Sequence, residues 1–198
     1  FKTFRIDALS TRHGIPSCAW QISRKERRGS FNRHKASLAG LGNEEKKKLS
    51  EGFDIELESG EVLRASSFRG PSRPSTSIVL SGDTAEQSIE PKAPVTVLVH
   101  EATFLNDASE RADNHLHSTA SGAARTALKC GAKHLILTHF SARLRDVDEA
   151  LSQAGEVLGQ SCSLASANDG DRVRIDDDGE VAMLKLGESG WIQHKLSH

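Results

Sequence analysis

The chain has 198 residues, enough to bury a sizeable core as one domain or a large part of one. Its 26 Lys and Arg stand against 27 Asp and Glu, a net charge of −1, so the overall balance points to neither nucleic acid nor membrane and only local charge can inform. No stretch is long and apolar enough to span a bilayer, no signal peptide is expected, and tyrosine is absent.

In chain order, Phe1 to Ile22 alternates weakly and predicts two strands around a turn near His13 to Pro16. Arg24 to Lys48 is polar throughout and studded with Gly, with nine Lys or Arg and three Glu, a concentration of charge that the whole-chain total hides. Arg64 to Ser77 reads as a Ser/Pro/Arg loop. Three compact runs follow, SIVLSGDT, VTVLVHEATF and HLILTHFS, each β-branched or Leu-rich and each breaking into polar residues at its C-terminal end, which predicts buried strands. Between the second and third, Ser118 or Thr119 can cap a helix whose Ala120, Ala123, Ala124, Ala127 and Leu128 form a narrow apolar stripe ended by Gly131. Val147 to Leu158 predicts a second amphipathic helix. Cys162 to Ile175 and Glu180 to Leu186 predict strands around the DDDGE turn, and an edge strand is the default for the tail GESGWIQHKLSH. Strands alternating with helices define an α/β layered domain.

Ligands of open α/β sheets gather at the carboxyl ends of the strands. Those ends carry Asp83, His100 with Glu101 and then Thr103, and His139, while His13 sits in a comparable turn. Imidazole nitrogen and carboxylate oxygen are ligands of catalytic zinc. A shared carboxylate such as Asp83 can bridge two ions roughly 3.5–4 Å apart, the spacing used for phosphoester displacement. Taken singly, each residue is as readily structural: a strand-end histidine is commonly a satisfied one, and Asp83 equally suits a turn or cap. The recurrence at three strand ends is what points to a site. His115 and His117 form an HxH pair, but a helix cap follows at once, so His117 is assigned to proton transfer beside Glu101 and His115 to simple exposure.

The motifs HGIPS, SGDT, HEATF, HSTA with AARTA after it, and LILTHFSAR stand in an order that resembles the tRNA 3′-processing endonucleases, the ribonuclease Z branch of the metallo-β-lactamase fold, from about His13 to Ile175. The resemblance implies that residues 1–198 are the C-terminal half of an αββα sandwich, with a basic substrate-binding arm inserted at 24–57. It implies His13 as a ligand of a first zinc ion, Asp83 as the bridge between two zinc ions, and His139 as a ligand of the second. Glu101 and His117 resemble the proton-relay pair that protonates the departing 3′ oxygen. Arg143, with Ser141, resembles the position that holds the scissile phosphate, although Leu144 follows where the family carries an aromatic residue. Within the arm, Arg24, Lys25, Arg27, Arg28, Arg33, Lys35, Lys46, Lys47 and Lys48 would neutralise phosphates of precursor tRNA and read its shape. Charge alone would fit a solvated loop there, and LAGLGNEEKKK replaces the Gly-Pro-rich signature of the family's arm.

The family's leading metal motif, HxHxDH, is absent from the sequence, which leaves three of the seven ligands that the resemblance implies. Two ligands per ion are too few for a tight site, so this chain alone is expected to be inactive. Phe1 is accordingly expected to be an internal boundary, the missing N-terminal half lying in the same or a separate chain. A homodimer is implied, with no membrane association. Cys18, Cys130 and Cys162, odd in number and without a CxxC, fit a reducing compartment, with a cytoplasmic location expected and an organellar or nuclear one left open. Two competing expectations remain: another hydrolase of this fold, such as a phosphodiesterase or arylsulfatase, and a non-catalytic RNA-binding half that has lost its metals.

Overall fold

The computed structural model describes residues 4–194 and Leu196, and the chain divides into two compact units, Phe1–Lys25 with Ser75–His198 and, between them, Glu26–Pro74. The chain opens with the predicted hairpin: β1 (Phe4–Ser10) pairs antiparallel with β2 (Cys18–Arg24), from Phe4↔Arg24 to Ser10↔Cys18. The intervening turn carries His13.

The Glu26–Pro74 unit departs from the polar, irregular stretch that composition suggests. It holds helices α1 (Arg33–Leu38) and α2 (Asn43–Glu51) and a small hairpin of β3 (Ile55–Glu56) with β4 (Val62–Leu63). Asn32 caps α1 by accepting from Lys35 N at 2.8 Å, and Glu45 reaches back to Gly42 N ahead of α2. Ala36, Leu41, Leu49, Ile55, Ala65 and Phe68 form a core of its own. Those apolar residues are scattered singly among charges, so no window of sequence displays them together, and only the folded unit does.

The larger unit continues with β5 (Thr76–Leu80), β6 (Val97–Glu101), α3 (Ser109–His115), α4 (Ala120–Cys130), β7 (His134–Thr138), α5 (Val147–Leu158) and β8 (Ser163–Ser166). One six-stranded sheet runs β1-β2-β5-β6-β7-β8: antiparallel up to β5 and parallel from there on. Helices α4 and α5 pack on each other, α4 lies against β6 and β7, and α5 lies against β8. Leu98, Leu135 and Leu137 meet Ala123, Ala124, Ala127, Ala150 and Ala154 in the resulting core. The alanine stripe read from the sequence lets α4 and α5 approach closely. Thr119 caps α4 by accepting from Gly122 N at 2.9 Å, and Gly131 ends it.

Two expectations need correction. Helix α3 was not anticipated, because its SERADNH sequence lacks an apolar stripe and buries only Ala112. Cys162 to Ile175 is not one strand: β8 joins the large sheet, whereas β9 (Arg172–Ile175) joins a separate three-stranded sheet with β10 (Val181–Gly187) and β11 (Gly190–His194). The loop between them is set by Asp171, whose carboxylate accepts from Asn168 N at 2.9 Å, and by Gly170 at φ +90. Within the tail, β11 is the expected edge strand, while Lys195, Ser197 and His198 lie outside the described residues. The three cysteines are free thiols, and burial pushes Cys130 and Cys162 up to about 11.

Candidate active site

The carboxyl ends of β5, β6 and β7 and the β1–β2 turn converge, as parallel strands with adjacent ends require. After β5, Ser81 and Gly82 turn the chain so that Asp83 follows. Gly82 is held at φ +59, and a Cβ there would lie 3.1 Å from the Cys18 carbonyl, so both conformation and space call for glycine. The His13 turn is tied to the same segment, with Ala85 N donating to Arg12 O at 2.8 Å and Ser17 Oγ to Asp83 O at 3.0 Å. His139 follows β7 directly at φ +57, a left-handed conformation that a histidine rarely holds without surrounding support. Leu116, immediately before His117, shares it at φ +55. Two of the three non-glycine residues at positive φ among the described residues therefore border one site.

Glu101 is the hub. Its side chain is 1% exposed, and its carboxylate accepts from Thr84 N (2.9 Å), Thr103 N (3.2 Å), Thr103 Oγ (2.6 Å), Ser118 N (3.1 Å) and His117 Nδ1 (2.7 Å). A buried carboxylate so fully hydrogen-bonded is a fixed electrostatic anchor. His117 is 17% exposed and leaves Nε2 outward of the pair. His13 Nδ1 lies 3.0 Å from Leu116 O, an acceptor with no proton to give, so that ring is protonated on Nδ1 and offers the Nε2 lone pair. His13 and His117 meet edge to face at 4.7 Å, and His117 stacks on His139 at 5.7 Å.

His139 Nε2 and Asp83 Oδ1 lie 3.6 Å apart, half and two-fifths exposed respectively. That is long for a hydrogen bond, and close to the separation of two ligands each about 2.0–2.2 Å from one ion. Donor atoms of His13, Asp83 and His117 fall within 4.8 Å of one another, as do those of Glu101, His117 and His139. The set is nitrogen and carboxylate oxygen with outer partners already fixing the imidazoles, which fits a zinc-type ion.

All five residues read as catalytic or metal-binding, His13, Asp83, Glu101, His117 and His139, lie together. His100 does not join them: it is fully buried, its Nδ1 donates to Glu101 O at 2.7 Å, and its Nε2 has no partner. Burial lowers its basicity, against the raising effect of that hydrogen bond and of the Glu101 charge. Ser141 donates its backbone N–H to Thr103 O at 3.2 Å, its Oγ accepts from Arg143 N at 3.3 Å, and the Arg143 side chain is exposed on the same turn. His115 stands exposed and stacks on Phe104 at 6.5 Å. Sequence reasoning missed the supporting shell of Thr84, Thr103, Ser118 and the Leu116 carbonyl. The motif words SGDT, HEAT and HST contain the first three, and only their position beside charged residues could have flagged them.

The basic residues sort into different uses. Arg24 belongs to the larger unit, where it binds Asp177 at 2.9 Å and the Asp176 carbonyl at 2.7 Å, and Lys25 follows it there. In the smaller unit, Arg28 donates to Glu51 O, Lys35 donates to Ser67 O at 2.7 Å beneath the Phe68 ring, and Arg27 pairs its backbone with Arg73. Arg33, Lys46 and Lys47 instead surround a recess of about 410 Å³ together with Phe31, Asn43 and Ser50. Lys48 is exposed on α2.

No family model matches the chain. Ribonuclease Z of Haloferax volcanii is 34% identical over 183 residues, 89% of this chain and 57% of that protein. Ribonuclease Z of Brevibacillus brevis is 39% identical over 188 residues, 93% and 58% respectively. Among solved structures, a long-form ribonuclease Z from yeast aligns with a TM-score of 0.48 at 19% identity, covering 84% of this chain and 17% of that one. Human short-form tRNase Z aligns at 0.43 and 20%, covering 91% and 43%. The chain spans little more than half the length of these curated relatives. The large sheet and its helices form an α/β layered domain with imidazoles and carboxylates gathered at the strand ends. Over the stretch it spans, the chain is similar to these ribonucleases Z, at 34% and 39% identity. No helix among the described residues is long and apolar enough to cross a membrane.

Proposed function

We propose that this chain supplies the C-terminal half of the active site of a zinc-dependent endoribonuclease that removes the 3′ trailer from precursor tRNA. The observation that carries the reading is the meeting of His13, Asp83 and His139 beside the Glu101–His117 pair, five chain segments brought to one place. His13, Asp83 and His139 would hold zinc, which when bound neutralises charge at the scissile phosphate. The chain's own residues do the rest. His117, held on Nδ1 by Glu101, carries a proton at Nε2 to the departing 3′ oxygen. Glu101 keeps that ring oriented from behind and does not itself reach the substrate. Arg143 holds a phosphate oxygen, and the exposed cations of the Glu26–Pro74 unit hold the body of the tRNA through its backbone.

The remaining ligands come from the part of the relatives' length that this chain does not span, so activity belongs to the completed protein. Joined to a stretch bearing HxHxDH, the chain cleaves precursor tRNA after the discriminator nucleotide, and loses this activity on chelation. A completed protein that binds precursor tRNA without cutting it, metal supplied, supports the non-catalytic alternative instead. One observation favours a second role for His117: its donor atom lies within 4.8 Å of His13 and Asp83, as a ligand's would. Zinc content of a His117 variant separates ligand from proton carrier.

A further inference from the structure

His13 and His117 take their tautomers from a carbonyl and a carboxylate, neither of which has a proton to offer. His139 faces a hydroxyl instead. Thr103 Oγ lies 2.9 Å from His139 Nδ1, and a hydroxyl can donate or accept, so this contact alone leaves the ring undecided. Glu101 removes the ambiguity. Its Oε2, already facing the N–H groups of Thr103 and Ser118, takes the one hydroxyl proton at 2.6 Å. Toward His139 the threonine oxygen can then only accept, so Nδ1 holds the ring proton and Nε2 presents its lone pair to the side where Asp83 Oδ1 lies, 3.6 Å away.

We propose that Thr103 is the positioning residue that fixes His139 in its metal-binding tautomer, and that it does so on instruction from Glu101. One carboxylate thereby governs two imidazoles: His117 directly and His139 through a single hydroxyl. The Thr103–His117 separation of 3.3 Å is the weaker contact, since His117 Nδ1 has the closer carboxylate. The inference rests on the reading of His139 as a metal ligand.

The test is carried out on the ¹⁵N-labelled 198-residue chain, without metal, at a pH well above the ordinary histidine value of about 6.5, where free rings are neutral. Long-range ¹H–¹⁵N spectra should find His139 protonated on Nδ1. Thr103→Val, which keeps the shape and removes the acceptor, should move His139 toward the Nε2–H form. Thr103→Ser should restore it, and the His13 pattern, set by Leu116 O, should not move. Thr103→Ala serves the same purpose if valine perturbs the fold. A wild-type His139 found as Nε2–H, or a pattern that survives both substitutions, overturns the proposal. Zinc titration of the completed protein separates the two layers: there Thr103→Val should weaken binding by about 10–100-fold. His139→Ala that binds zinc like wild type would sink the ligand reading and leave the tautomer result standing.

Discussion

Glu101 Oε1 lies 2.7 Å from His117 Nδ1, the carboxylate sealed inside and the ring partly open. Under the proposed function, His117 would be the group that touches the substrate and Glu101 the group that holds it in place. In the completed enzyme, His117→Ala should slow trailer cleavage by roughly 10²–10⁴-fold with zinc content unchanged, the range for losing a proton-transfer group. Single-turnover cleavage and metal analysis check it, and lost zinc would move His117 into the ligand set.

Glu101→Gln should cost stability as well as rate. The amide keeps the size but turns one of two acceptor oxygens into a donor facing donors, in a site where the carboxylate accepts five hydrogen bonds. A loss on the order of 3 kcal/mol is expected. An unchanged urea midpoint would mean that the network is looser than its distances.

Purified alone, the chain should carry clearly less than one zinc per chain, because His13, Asp83 and His139 are too few for tight binding. Elemental analysis finding two firmly held ions would overturn the ligand assignment. In the completed protein, His13→Ala, Asp83→Asn and His139→Ala should each lower zinc content.

Cations in the Glu26–Pro74 unit should separate into two phenotypes. Neutralising Arg33, Lys46 and Lys47 should weaken precursor tRNA binding and flatten its logarithmic salt dependence by about 2–3, since each phosphate contact contributes about 0.7–0.9. Lys35→Ala should chiefly lower the melting temperature, through the lost Ser67 and Phe68 contacts. Equal salt slopes before and after the triple change would return those residues to ordinary surface.

His100 should make the fold acid-sensitive. Burial lowers its folded-state value, so the unfolded chain binds one more proton as pH falls through about 6.5. Its contribution is level above that value and costs up to about 1.4 kcal/mol for each pH unit below it. His100→Asn, which keeps a donor toward the Glu101 carbonyl, should flatten the denaturation profile on the acid side. Parallel profiles for the two proteins would show that His100 is not the group responsible.

The large sheet and helices α4 and α5 were legible because apolar periodicity and caps coincide there: Thr119, the alanine stripe and Gly131 mark α4 from start to finish. Helix α3 and the core of the smaller unit were not, since Ala112 alone is buried in the first and Leu49, Phe68 and their neighbours are dispersed in the second. At the site, strand-end chemistry pointed to Asp83, Glu101 and His139, with His13 in a comparable turn and His117 beside Glu101, and the family resemblance implied how the ligands divide between two ions. What no spacing conveys is that a neutral Thr103 stands between Glu101 and His139. Hydroxyl roles depend on three-dimensional donor accounting.

The left-handed backbone at His139 sets two selective pressures against each other. Glycine would adopt φ +57 without the Cβ penalty, of order 1 kcal/mol or more, that a histidine bears there. Among substitutions at this position, His139→Gly should therefore be the most heat-resistant and His139→Val the least. Breeding this scaffold for thermal tolerance alone, with no demand for metal, would be expected to erase the site first at the residue that most defines it.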